Sequence, residues 1–198
     1  MADGTLKVGT ITTSSGSGTI TLGQSGETVT IPSGVTLTNN GTASGLGKVL
    51  QVLQTVKTDT FSTSSTSFTG ITGLSVSITP SSTSNKILIM FDVVGATPNL
   101  AYVNLVRNST TIGIGETSGS RISCTTGNFS AAGDNNRAFS FSSTYLDSPA
   151  SNSALTYKLQ IRHESGGASI YINRTVNDND GATGFRPIST ITAMEIQG

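Results

Sequence analysis

A chain of 198 residues with 34% hydrophobic and only 11% charged side chains holds enough apolar material for one ordinary core and lacks the high charge of a disordered segment. Its formal net charge is zero and its 11 Lys and Arg are scattered, which excludes the basic stripe of a nucleic-acid or anionic-membrane binder. One cysteine, Cys124, and one histidine, His163, exclude an intrachain disulfide and a Cys/His zinc site.

The opening MADGTLKVGT has no apolar run of the kind a secretory signal needs. The longest apolar stretch, ILIMF at 87–91, is far too short to span a bilayer. The expectation is a protein made in a cytosol and released by lysis, with no membrane insertion.

Residues 1–42 place Leu6, Val8, Ile11, Ile20, Leu22, Val29, Ile31, Val35 and Leu37 among Thr, Ser, Gly and Asn. The local period of two predicts short strands. Each offers one thin apolar row, to be buried across another domain or wound against other copies on a common axis. We read 1–42 as an attachment arm or shaft, ASGLGK at 43–48 as a hinge, and 49–198 as a separate domain.

Beyond the hinge the runs lengthen. Strands are predicted in KVLQVLQTVKTDTFST, SFTGITGLSVSIT, ILIMFDVV, LAYVNLVRNSTTIGIG, NRAFSFSSTYLD, SALTYKLQIRHES, ASIYINRTV and ISTITAMEI, with no helix evident. In ALTYKLQIR, Leu155, Tyr157, Leu159 and Ile161 share one face. ILIMFDVV is apolar on both faces except at Asp92, with Met90 and Val94 on the Asp92 side, so it reads as a central strand covered by a neighbouring subunit. Roughly nine strands with frequent turns predict an all-β fold, an antiparallel, jelly-roll-like β-sandwich.

Few residues suggest chemistry. His163 reads as a solvent-facing strand-end residue, and no serine sits in a nucleophile elbow. No nucleotide fingerprint occurs, and no cofactor is expected. In NRTVNDNDGATG, Asn177, Asp178 and Asp180 offer oxygens to a cation, although Asn, Asp and Gly also make ordinary turns. The stretch 116–140 is the richest in groups for a sugar: Asn128, Asp134, Asn135 and Asn136 for hydroxyls, Arg121 and Arg137 for vicinal hydroxyls or an acidic sugar, and Phe129 for stacking.

Residues 47–93, GKVLQVLQTVKTDTFSTSSTSFTGITGLSVSITPSSTSNKILIMFDV, and residues 168–198, ASIYINRTVNDNDGATGFRPISTITAMEIQG, resemble a family of virion structural proteins of marine tailed phages of cyanobacteria and pelagic bacteria. Members are often labelled tail-fibre proteins. The start MADGTLKVGTITTSSGSGTITLGQSG is similar to theirs as well. The resemblance implies a non-enzymatic virion protein, a homotrimer docked on other virion proteins through its N-terminal part, with its distal β-rich domain facing a host-surface glycan. A capsid decoration protein and a free carbohydrate-binding or carbohydrate-active domain are the alternatives.

Overall fold

The structure, a computed structural model, describes residues 9–13, 19–36, 38, 49–129 and 135–198, with Phe129 described by its backbone. The chain divides into two units, Met1–Ser44 and Gly45–Gly198. The predicted hinge at 43–48, and Leu6, Val8 and Leu37, lie outside the described residues.

In the first unit the prediction of strands is corrected: none of its described residues belongs to one. Two turns shape it, closed by Glu27 N–H to the Gln24 carbonyl and Val35 N–H to the Pro32 carbonyl. Ile20, Leu22, Val29, Ile31 and Val35 are all exposed. Alternation sets which way side chains point, but a ladder needs a second backbone, and the described residues of this segment supply none to one another.

The described residues of the second unit form eleven strands: β1 Val49–Lys57, β2 Phe61–Thr63, β3 Thr69–Ile78, β4 Lys86–Ala96, β5 Leu100–Arg107, β6 Thr110–Ile112, β7 Thr126–Phe129, β8 Phe139–Asp147, β9 Leu155–His163, β10 Ile170–Ile172 and β11 Ser189–Ile196. The excess over nine comes from interruptions. β10 and β11 lie end to end along β4, with β2 and β1 end to end beside them. β6 and β7 likewise share one side of β5. With each such pair counted as one strand, the first sheet runs β1/β2, β10/β11, β4, β8 and the second β3, β9, β5, β6/β7, all antiparallel. Eight strands in this order make a jelly roll.

The core forms where the inward rows meet. β4 contributes Ile87, Ile89, Phe91 and Val93, and β9 contributes Leu155, Tyr157, Leu159 and Ile161, all buried. Leu88, Met90, Asp92 and Val94 point out of the first sheet, so ILIMFDVV is central and two-faced as predicted. That outer face is apolar toward one end: Leu50 and Val52 on β1 and Leu146 on β8 are each about half exposed, beside Leu88 and Met194. On β4 this face carries two charges: Lys86, beside the apolar end, and Asp92, which accepts a hydrogen bond from the Ser140 hydroxyl.

Register gives the unit two poles. Val49, the turn 79–85, Asn108, residues 148–154 and the C-terminus share the proximal pole, where the chain enters. Residues 97–99, 135–138, 164–169 and 173–188 share the distal pole. Polar side chains close the core at the proximal pole. Arg107 reaches both oxygens of Asp147 at 2.8 Å, and the Tyr157 hydroxyl donates to the same carboxylate at 2.6 Å. Glu195, 1% exposed, accepts from Gln51 Nε2, Asn85 Nδ2 and the Ser81 N–H and hydroxyl at 2.6–2.7 Å.

Burial opposes the charge on Glu195, but the hydrogen bonds from Gln51, Asn85 and Ser81 outweigh it and draw its pKa down from about 4.5 to about 2. A carboxyl group with a depressed folded pKa stabilises the fold fully above the unfolded value and loses that contribution as pH falls through the folded one. Stability is therefore expected to drop between pH 4.5 and 2. The variant Glu195→Gln should flatten this part of the profile and be less stable at neutral pH. Acid melts followed by circular dichroism check it, and an unchanged profile in the variant would assign the acid sensitivity to another group.

Candidate functional site

Two long excursions leave the sheets, and side chains close the gap behind each. Between β10 and β11 the chain departs at Asn173 and returns at Ser189. Asn173, wholly buried with φ 58°, donates from Nδ2 to the carbonyls of Lys57 at 2.8 Å and Asp59 at 3.0 Å. The Ser189 hydroxyl donates to Asn173 Oδ1 at 2.6 Å and accepts from Val94 N–H at 3.0 Å. Asparagine tolerates the left-handed conformation better than most residues. Its amide here takes the place of missing ladder bonds.

The excursion between β6 and β7 is closed in a related way. The Thr125 hydroxyl accepts from Leu105 N–H at 2.9 Å, and Thr125 N–H donates to the Val103 carbonyl at 3.0 Å. In both, a hydroxyl at the return point satisfies an amide of the neighbouring strand. The sandwich can thus carry long insertions without leaving buried backbone groups unpaired.

The 174–188 excursion contains a fixed cluster of charge. Arg174 stacks on the Tyr171 ring, 4.1 Å from its centroid, and donates to the carbonyls of Thr175 and Val176. Its remaining nitrogen, Nη1, lies 3.2 Å from Asp178 Oδ2, and Arg186 reaches the same oxygen at 2.6 Å. The candidate cation ligands are therefore not gathered around a common point. Asp178 is engaged by two guanidinium groups, and Asn177 bonds the Asn135 carbonyl and Asn136 Oδ1. Asp180 is exposed. Among the described residues no group of three or more His, Cys, Asp or Glu side chains could hold a metal.

The candidate sugar contacts do not form one loop. Thr126–Phe129 is strand β7 and Phe139 opens β8, so the stretch 116–140 contains strand as well as loop. Asn128 lies in β7 and donates to the Ser140 carbonyl at 3.3 Å, tying the two sheets together. Arg121 is exposed and folds back on the Ser118 hydroxyl at 3.1 Å. Asn135, Asn136 and Arg137 lie at the distal pole, where Asn177 joins the first two to the 174–188 excursion. Asp134 and the Phe129 side chain lie outside the described residues.

His163 is also corrected. It is wholly buried, the fifth inward residue of β9, and its Nδ1 accepts from the N–H groups of Ser165 and Gly166. Burial lowers its pKa, against the pull of Glu164. The neutral ring shapes the turn after β9 and is shut off from a dissolved substrate.

Fold and site together define a jelly-roll sandwich that carries a polar distal pole and an outer sheet face that is apolar toward one end. No known protein family and no curated protein matches the sequence.

Proposed function

We propose that this chain is a non-enzymatic structural protein of a phage particle, a homotrimeric fibre or fibre tip that takes part in host attachment. The outer face of the first sheet carries this reading: Leu50, Val52, Leu88, Met194 and Leu146 form an apolar area that the described residues of the second unit leave uncovered. Each such side chain left wet forgoes about 1.5–3 kcal/mol of burial. A second copy is the occupant that fits, because β4 presents one charge of each sign on this face, Lys86 at its apolar end and Asp92 farther along, so like charges hardly meet. Copies sharing an axis would also give the exposed rows of residues 20–35 the partners they lack. The resemblance to phage fibre proteins points the same way.

The first unit, at 44 residues, is short for a shaft and favours a second reading, a decoration protein on the capsid surface. Quantifying the protein in purified particles separates the two. Copies in the tens per particle are expected for fibres, hundreds would select decoration, and absence from particles would reject both. With residues 1–42 deleted, the remaining chain is expected to fold and to fail to load onto particles that lack the protein. Normal loading would show that the arm is not the anchor.

A further inference from the structure

The 174–188 excursion encloses an open hollow of about 400 Å³, lined by residues 178–181 and 184–186. Its floor is tightly wound backbone. Gly184 N–H donates to the Gly181 carbonyl, and a Cβ on Gly184 would collide with the Asn179 carbonyl, so the hollow depends on that glycine. Its wall is apolar at Phe185, about half exposed. Opposite in character stand Asp178 and Arg186. Both guanidinium groups approach Asp178 at Oδ2, and among the described residues Oδ1 carries no bond.

These groups are held before any ligand arrives. Arg174 is locked by its stacking on Tyr171 and two carbonyl bonds, and it fixes Asp178 in turn. Asn173 and Ser189 clamp the base of the excursion to the sheets. A fixed site spares a ligand the cost of ordering the protein. The charges also cancel: Arg174 and Arg186 stand against Asp178 and Asp180, so neither an anion nor a cation is favoured as a whole. An aromatic ring beside a carboxylate–guanidinium pair in a neutral hollow matches one ligand chemistry: an apolar C–H face with adjacent hydroxyls on its rim.

We propose that this hollow binds a neutral hexose unit of a polysaccharide, with Phe185 under the pyranose face and Asp178 and Arg186 on vicinal hydroxyls. The inference deepens the attachment reading and rests on it for the source of the glycan, a host surface. Three methyl glycosides, of α-glucose, α-mannose and β-galactose, serve as probes in saturation-transfer NMR on the full chain. At least one should bind. Phe185→Ala should weaken it by about tenfold or more. Phe185→Tyr should retain binding, and Asp178→Asn should lose it. Melting curves of Phe185→Ala should match those of the parent, since the ring is a surface group.

Silence from all three glycosides overturns the site, as does undiminished binding by Phe185→Ala. The two readings fail separately. A particle-borne trimer that binds none of the sugars loses the site and keeps the attachment reading. A protein that binds sugar through Phe185 but is absent from particles does the reverse.

Discussion

Asn173→Ala is expected to cost about 4 kcal/mol of folding stability, the largest effect of any polar substitution in this domain. The change removes the amide that donates to the Lys57 and Asp59 carbonyls and takes the acceptor from the Ser189 hydroxyl. A buried polar group left unpaired costs about 1–3 kcal/mol. An alanine held at the left-handed φ of 58° adds about 1–2 kcal/mol of strain. For a domain of this size, 4 kcal/mol lowers the melting temperature by about 8–16 °C. Asn173→Gly separates the two contributions, since glycine accepts the backbone conformation and supplies no amide. It should recover only the strain. Denaturant melts of both variants check this, and a loss below about 1 kcal/mol in Asn173→Ala would show that the side chain does not hold the interrupted strand.

At the proximal pole, Asp147→Ala should cost about 3 kcal/mol, the lower part of the range for breaking a buried charged pair, because the Arg107 side chain is a quarter exposed. The loss leaves the wholly buried Tyr157 hydroxyl without its acceptor and Arg107 without its counter-charge. Tyr157→Phe removes one hydroxyl and should cost less, about 1–2 kcal/mol, and the double variant should fall well short of additivity. Burial, helped by the hydrogen bond to Asp147, pushes the Tyr157 phenol above its ordinary value. A raised folded pKa stabilises fully below the unfolded value, so this contribution is complete below pH about 10 and is lost as pH rises beyond it. Alkaline melts of Tyr157→Phe should lack that part of the decline. A strictly additive double variant would mean that the three groups do not act as a unit.

These two clusters also show what the sequence could not convey. Alternation is local, so the inward row of β9 and the two-faced β4 could be read directly from ALTYKLQIR and ILIMFDVV, and with them the sandwich. The closure at Asn173 joins residues 116 positions apart, and no local pattern encodes it. β7 was hidden for the same reason: four residues, TGNF, are a strand only because β5 lies beside them. His163 did carry a signal, as the next alternate position after Ile161, but the glycine-rich turn that follows it drew attention toward solvent. The first unit fails in the opposite direction. Its alternation is clear, but a strand needs a paired neighbour, and none of the described residues of this unit is in a strand.

The candidate site was partly legible. The sequence marked Asn135, Asn136, Asn177, Asp178 and Asp180 as chemically notable but assigned them to two separate roles. The fold brings Asn135 and Asn136 against Asn177 and makes one polar surface of them. Phe185 and Arg186 drew no notice, because a lone aromatic beside an arginine in a loop has no spacing to recognise. Their meaning comes from the hollow they line.

The central claim is that a second copy covers the outer face of the first sheet, and sedimentation equilibrium on the full chain at micromolar concentration tests it most directly. The account predicts a species of three 20.2 kDa chains, dissociated by a paired Leu88→Glu and Met194→Glu substitution that leaves the β-sheet circular dichroism intact. A homogeneous monomer of the unaltered chain would contradict it.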